Sequence, residues 1–211
     1  MRLKISFDDG TVQDLKIAEL IEKHGFVDSC IFYFPVMPEI ANGLKGRESL
    51  SNDQMKQIAS KFEIGSHTIT HPLLTRIPLE QARTEIIDSK MLLEHRFDKE
   101  IKSFCYPRGY SSNELRNFVK EAGYTTARST IVGCISKSED KLFEKTSVHM
   151  GCDRREYDAM NWYEYANHLL EQASKIENSV FSIWSHGWEL ESYPKGFELF
   201  EELLIKLKSH I

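Results

Sequence analysis

Short apolar segments alternate with amphipathic helical segments along the chain, and this alternation constrains the fold more strongly than any other feature of the sequence. The pattern predicts seven strands, at 3–7, 28–34, 62–67, 101–107, 124–129, 144–150 and 179–186. It predicts helices near 13–24, 52–61, 78–96, 111–122, 160–176 and 195–209. Strands separated by helices favour an α/β fold with a parallel sheet and right-handed crossovers, either open or closed into a barrel.

The predicted carboxyl ends of these strands are rich in ionisable residues. In open parallel sheets and in barrels alike, ligands bind at the carboxyl ends of the strands. The polar residues at these ends are Asp8, Asp9, His67, His71, Tyr106, Arg108, Arg128, His149 and His186. Chance would distribute such residues over both ends of the sheet, so the sequence predicts a functional site at this rim.

The overall composition argues against several classes of partner. The chain has 211 residues, which suits a single domain over 1–211. Its net charge of −5 comes with no basic block of the kind that binds nucleic acid. No apolar run approaches the roughly 20 residues of a membrane helix, so membrane insertion is not expected. The first strand begins too close to Met1 for a signal peptide. The four cysteines are widely spaced, and this spacing predicts free thiols. A cytoplasmic location is therefore predicted, unless a leader has been removed.

Two adjacent carboxylates, Asp8 and Asp9, follow the first strand and precede a glycine. Neighbouring strand residues point to opposite faces, so alternation would bury one aspartate, and the like charges repel unless a positive group lies close by. The segment SHTITHP supplies His67 and His71, and Pro72 predicts an extended backbone at His71 with no helix through both histidines. A turn at the strand end can still bring both imidazoles to one point.

Two imidazoles and one carboxylate form an open three-ligand site for zinc or a similar divalent ion. Such an ion would neutralise one aspartate as a ligand and hold the other ionised beside it. Asp-Asp-Gly alone is typical of a turn, and a His-x-x-x-His pair often arises by chance. Their convergence at two strand ends of one predicted sheet favours the metal site over these simpler interpretations.

The motifs resemble those of the polysaccharide deacetylases, the NodB-homology enzymes of carbohydrate esterase type four. SFDDG is similar to their Thr-Phe-Asp-Asp-Gly motif, and HTITH matches their His-Thr-x-x-His motif. CYPRG stands in the place of their third motif, usually Arg-x-Pro-Tyr-Gly, and IWSHG resembles their late Leu-x-His motif. The resemblance covers residues 5–187 in the family's motif order and implies an irregular seven-stranded (β/α) barrel of NodB-homology type.

The resemblance also implies roles for the matched residues. Asp9, His67 and His71 would bind one divalent metal ion, zinc in the first place, with cobalt, nickel and manganese as alternatives. Asp8 would be the catalytic base and His186 the catalytic acid. The chemistry requires these groups because an amide carbonyl is a poor electrophile and the leaving amine must be protonated.

The third motif would contribute to substrate binding. By the resemblance, the backbone N–H of Arg108, which follows Pro107, would stabilise the developing oxyanion, while the Arg108 side chain faces the substrate. Tyr106 and Trp184 lie near predicted strand ends. They are interpreted either as wall packing or as a platform on which a sugar stacks.

One departure from the family concerns the third-motif arginine, which in the family contacts the catalytic aspartate. Cys105 stands in its place here, and a cysteine cannot donate two parallel N–H bonds to a carboxylate. Arg128, at the end of the next predicted strand, is therefore predicted to pair with Asp8, directly or through a water molecule. His149 is a further auxiliary candidate at the rim.

A second departure concerns the fourth motif, Asp-x-x-Asp-Trp, which has no clear counterpart after the fifth strand. The similar segment DAMNW at 158–162 follows the sixth strand, so Asp158 is predicted as a helix cap and Trp162 as packing. The segment GWELESYP places acidic groups beside His186.

The predicted function is metal-dependent hydrolysis that removes an acetyl or other acyl group from an N-acetylated amino sugar or polysaccharide. The bond cleaved would be a carbon–nitrogen amide other than a peptide bond. One alternative is hydrolysis of a non-sugar amide, because the motifs specify hydrolysis better than they specify a sugar. Another is a catalytically silent carbohydrate-binding homologue, against which the intact motif residues argue.

Overall fold

The computed structural model describes residues 1–43 and 45–210. Its parallel sheet contains β1 Arg2–Asp8, β2 Cys30–Phe34, β3 Glu63–Ser66, β4 Ser103–Cys105, β5 Thr126–Arg128, β6 Val148–His149 and β7 Val180–His186. The strand order is β5-β4-β3-β2-β1-β7-β6, and neighbouring strands pair in parallel. The seven predicted strands are all present, although the fourth, fifth and sixth are at most half as long as predicted.

The segment that precedes β6 joins the two sides of the sheet. Ser129, just after β5, donates its N–H to the carbonyl of Glu144 at 2.8 Å. Further along the same segment, the N–H of Ser147 donates to the carbonyl of Ser182 in β7 at 2.7 Å. The sheet therefore curls into an irregular barrel. The predicted sixth strand is present only in part because this segment bonds in turn to two different neighbours.

Helices flank the sheet. In the part of the chain that the structure describes they are α1 Asp14–His24, α2 Pro38–Gly43, α3 Asn52–Ala59, α4 Leu79–Phe97, α5 Asn113–Glu121, α6 Trp162–Ser174, α7 Gly187–Ser192 and α8 Gly196–Leu207. The sequence did not predict α2 and α7, since each has only 6 residues and no apolar periodicity can be recognised over so short a length. None of the described helices combines the length and the apolar character needed to cross a membrane.

The start of α6 lies within the segment that is similar to the fourth motif. The side chain of Asn161 caps this helix, accepting hydrogen bonds from the N–H groups of Tyr163 and Glu164 at 3.0 and 2.9 Å. The prediction that Asp158 is the cap is wrong, because Asp158 ends the preceding turn in the left-handed conformation with φ 49°. Trp162 is fully buried, as its predicted packing role requires.

Strand β1, which pairs with β2 and β7, separates an apolar outer layer from a polar barrel interior. Phe7 is fully buried and packs edge-on against Phe200 of α8, with ring centroids 5.5 Å apart. Burying a phenylalanine of this kind contributes roughly 1.5–3 kcal/mol to the free energy of unfolding. Because strand side chains alternate, Lys4, Ser6 and Asp8 face the opposite side. The carboxyl end of β1 therefore places the Asp8 carboxylate on the inner side of the rim.

Candidate active site

Both aspartates of the first motif are buried at the end of β1, where Asp8 is 2% and Asp9 1% exposed. Strand alternation would turn Asp9 toward the helices. Its φ of 76° lies in the left-handed region, and this breaks the alternation so that its carboxylate returns to the rim. There the Asp9 oxygens lie between 3.4 and 3.7 Å from the Nε2 atoms of His67, His71 and His186.

Asp9, His67 and His71 form a group whose potential metal-ligating atoms all lie within 4.8 Å of one another. Oδ1 of Asp9 is 3.4 Å from Nε2 of His71 and 3.6 Å from Nε2 of His67. This oxygen is buried and has no hydrogen-bond partner among the described residues. A buried carboxylate oxygen without a donor is unfavourable. A divalent cation would satisfy it, and two imidazoles with one carboxylate are a donor set that suits zinc and similar ions.

His67 is held in the tautomer that metal binding requires. Its Nδ1–H donates to the carbonyl oxygen of Cys105 at 2.7 Å, because a carbonyl can only accept a hydrogen bond. Nε2 therefore keeps its lone pair on the side of Asp9. Burial lowers the pKa of His67 despite the two neighbouring aspartates. Burial and the adjacent His67 lower the pKa of His71 to about 3. Both imidazoles are therefore neutral near pH 7, which is the form that binds a metal ion.

A carboxylate that the sequence analysis did not identify shapes the loop that carries the two histidines. Oε2 of Glu85, in α4, accepts the N–H groups of Ile69 and Thr70 at 2.8 and 2.9 Å, and its Oε1 accepts the Thr70 hydroxyl at 2.6 Å. The loop places His71 in the left-handed region with φ 60°. The predicted extended backbone before Pro72 is therefore wrong, because these hydrogen bonds outweigh the local preference.

Arg128, at the end of β5, forms a buried ion pair with Asp8. Its Nη2 donates to both carboxylate oxygens, at 2.5 Å to Oδ1. Sγ of Cys105 lies beside the pair, 3.0 Å from Nη2 of Arg128 and 3.5 Å from Oδ2 of Asp8. Burial disfavours the Asp8 carboxylate, but Arg128, with His67 and His186, outweighs this effect and lowers its pKa. The predicted contact is present in its direct form, whereas its contribution to catalysis stays a prediction.

His186 belongs to a second cluster, which contains Glu189 of α7 and His149 of β6. Nδ1 of His186 and Nε2 of His149 both donate to Oε2 of Glu189, at 2.7 and 2.6 Å. Burial disfavours the His186 imidazolium, but Glu189 and Asp9 outweigh this effect and raise its pKa to about 9. The sequence analysis noted acidic groups after His186 without identifying Glu189 as its partner.

Asp8 and Asp9 share one cavity of about 270 Å³ with His67, His71 and His186. The residues that line it are Asp8, Asp9, Lys45, Arg47, His67, His71, Tyr106, Arg108, Thr130, Trp184, His186 and Trp188. The residues predicted as metal ligands, base and acid thus share one cavity. Of the remaining predicted site residues, Pro107, Arg128 and His149 do not line it.

Tyr106 and Trp184 are wall residues rather than exposed stacking platforms. Tyr106 is fully buried, and its hydroxyl donates to a backbone carbonyl at 2.9 Å. The Trp184 ring is 3% exposed and is covered by the parallel ring of His149, with centroids 3.8 Å apart. Arg108, in contrast, is exposed and lies in a left-handed turn with φ 57°. Its side chain is therefore accessible to a ligand in the cavity.

Residues 2–127 match the family model of the polysaccharide deacetylases. This chain belongs to the polysaccharide deacetylase family. The matched region contains the Asp-Asp-Gly, His-Thr-x-x-His and third motifs. One curated relative, named "Putative polysaccharide deacetylase YxkH", from Bacillus subtilis (strain 168), is 28% identical over 136 residues, which make up 64% of this chain and 47% of the relative. The chain thus spans about half the length of the curated relative that it matches.

Solved structures of family 4 carbohydrate esterases share the fold of this chain. A Streptomyces lividans enzyme in complex with acetate aligns with a TM-score of 0.64 at 14% identity, covering 99% of this chain and 88% of its own. A family 4 pseudoenzyme from Bacillus anthracis aligns with a TM-score of 0.64 at 15% identity, covering 99% of this chain and 60% of its own. The predicted NodB-type (β/α) barrel is confirmed.

Proposed function

We propose that this member of the polysaccharide deacetylase family is a metal-dependent hydrolase that removes the acetyl, or another acyl, group from an N-acetylated amino sugar or polysaccharide. One observation carries the proposal. The potential metal ligands Asp9, His67 and His71 lie in the same cavity as the ion-paired carboxylate Asp8 and the imidazole of His186. Metal-assisted hydrolysis of an amide uses a Lewis acid, a base and an acid. This cavity offers ligands for the metal ion and one residue for each of the other two roles.

Asp9, His67 and His71 would hold one divalent ion, with zinc as the first candidate and cobalt, nickel or manganese as alternatives. When bound, the ion would polarise the amide carbonyl and lower the pKa of a water molecule. Two observations support the assignment: the buried Oδ1 of Asp9 has no hydrogen-bond partner among the described residues, and the carbonyl of Cys105 fixes the His67 tautomer.

Asp8 would take the proton of the attacking water. Arg128 keeps this carboxylate ionised and fixes its orientation, since one guanidinium nitrogen donates to both of its oxygens. A base must be deprotonated and correctly placed before the reaction, and the ion pair serves both requirements.

His186 would donate a proton to the leaving amine. Its Nδ1–H is held by Glu189, so its Nε2 is directed to the cavity, 3.7 Å from Oδ2 of Asp9. The backbone N–H of Arg108 would stabilise the negative charge that develops on the carbonyl oxygen.

The test is an acetate-release assay on N-acetylated mono-, oligo- and polysaccharides, with elemental analysis of the purified protein. The proposal predicts one divalent ion per chain and acetate release that a chelator abolishes. Turnover of small non-sugar amides without any turnover of sugars would reassign the enzyme to other amides. Absence of both metal and turnover would contradict the proposal.

A further inference from the structure

Three cationic side chains, those of Lys45, Arg47 and Arg108, line the cavity. Lys45 and Arg47 lie between α2 and α3, and Arg108 follows β4. Their convergence contrasts with the net charge of −5 of the chain. The side chains of Lys45 and Arg47 are 32% and 22% exposed, so both remain accessible to a ligand.

Buried Asn42 holds Lys45 and Arg47 against the end of β1. Its carbonyl accepts the N–H groups of Lys45 and Arg47 at 2.9 and 3.2 Å, and its side-chain amide donates to the carbonyl of Asp9 at 2.9 Å. The guanidinium of Arg47 also lies over the ring of Trp188, with Cζ 3.2 Å from the ring centroid. This cation–π contact orders the guanidinium before a ligand binds. Both cations are therefore placed at the cavity by the fold.

The acids of the cavity do not neutralise these cations once the proposed metal site is filled. Nζ of Lys45 and Nη1 of Arg47 lie 3.8 and 3.7 Å from Oδ2 of Asp9, too far for strong hydrogen bonds. Asp8, the other acid that lines the cavity, is paired with Arg128. An ion held by Asp9 would place a further positive charge beside Lys45 and Arg47. A negative group on the substrate would remove this repulsion.

We infer that the cavity recognises a substrate that carries an anionic oxygen group, a carboxylate or a phosphate ester, on the same sugar residue as the hydrolysed amide. This inference rests on the proposed function and specifies its substrate class. The guanidinium groups of Arg47 and Arg108 match the geometry of such oxygens, and Lys45 adds a point charge. The proximity of Lys45 and Arg47 to Asp9 places the anionic group near the bond that is cleaved.

The kinetic test compares acetate release from N-acetylglucosamine, N-acetylmuramic acid and N-acetylglucosamine 6-phosphate. We expect kcat/KM for at least one of the two anionic sugars to exceed that for the neutral sugar about tenfold, since charge-assisted hydrogen bonds are of this strength. Arg47→Met and Lys45→Met should each reduce this preference, and Arg47→Lys should retain part of it. Which anionic sugar is preferred distinguishes a carboxylate from a phosphate ester.

A matched control and a second readout make the result decisive. Lys137→Met removes an exposed charge that does not line this cavity and should leave the preference unchanged. Calorimetry with glucosamine 6-phosphate, muramic acid and glucosamine measures recognition without turnover. Tighter binding of an anionic sugar that Arg47→Met weakens would support the inference even if no acetate is released, which would contradict only the proposed function. Equal affinity for all three sugars, or a preference that neither cavity variant changes, would overturn it.

Discussion

Arg128 and Asp8 meet at the rim of the barrel although they end strands β5 and β1, which are not neighbours in the sheet. The register explains how Arg128 reaches this carboxylate. Cys105, which stands at the motif position, is paired with Arg128 between β4 and β5. The guanidinium group therefore starts one strand further from β1 than Cys105 does, and it still reaches the carboxylate.

Replacing Arg128 by methionine should destabilise the fold and lower kcat. Asp8 would remain buried without a partner, and breaking a buried ion pair typically costs about 3–5 kcal/mol of the free energy of unfolding. Urea unfolding measures this loss. The control Arg83→Met breaks an exposed ion pair with Glu121, which should cost about 1 kcal/mol or less. Equal losses in the two variants would contradict a buried pair.

Kinetic measurements should distinguish the proposed roles of Arg128 and Arg108. Arg128→Met should act mainly on kcat, because Arg128 positions the base, whereas Arg108→Met should mainly raise KM, because Arg108 faces the cavity. The opposite pattern would exchange their roles.

Asp8→Asn and Asp9→Asn should differ in metal content. Asp8→Asn removes the proposed base and should lower turnover roughly 10²–10⁴-fold while metal binding persists. Asp9→Asn removes a proposed ligand and should lower metal content as well. Elemental analysis of both variants checks this difference. An equal loss of metal from both would mean that base and ligand are wrongly assigned.

Glu189→Gln should lower turnover about 10–100-fold with metal content unchanged, a loss typical of a group that orients a functional histidine. The reason is that His186 and His149 both donate to this carboxylate. Glu191→Gln is the matched control, because Glu191 lies in the same helix, is exposed and accepts a hydrogen bond from the side chain of Gln13. Similar activities of the two variants would argue against a role for Glu189 in orienting His186.

Glu85→Ala should weaken metal binding and stability together. The carboxylate accepts two N–H groups and one hydroxyl of the loop between His67 and His71, and losing them should cost about 2–4 kcal/mol. Thermal unfolding and zinc titration measure the two effects. Glu80→Ala, an exposed change in the same helix, serves as the control. Unchanged zinc affinity would show that the loop holds its turn without Glu85.

The strand-end residues were predictable from the sequence because a parallel sheet brings all its carboxyl ends to one rim. Asp8, Asp9 and His186 follow this rule, and so does Arg128. The backbone conformations that were not predicted depend on contacts between residues that are distant in the sequence. His71 adopts its left-handed backbone because its loop bonds to a distant helix, and no local preference encodes that.

The residues that position the site residues were also harder to predict, because their roles depend on contacts that form only in the fold. Glu85 lies between Ala82 and Ile86 on the buried face of α4. A carboxylate on this apolar face was the one feature of the sequence that could have indicated its role. Glu189 lies on a helix of 6 residues, too short to predict. Lys45 and Arg47 belong to no motif, and only the fold brings them to the cavity.

The central claim is that Asp9, His67 and His71 hold a divalent ion on which deacetylation depends. The most direct measurement is acetate release from an N-acetylated oligosaccharide by protein that has been stripped with a chelator and then titrated with zinc. The account predicts no release from the stripped protein, recovery that saturates at about one zinc ion per chain, and no recovery for Asp9→Asn at the same zinc concentration. Equal acetate release before and after zinc addition, or full recovery of Asp9→Asn, would contradict it.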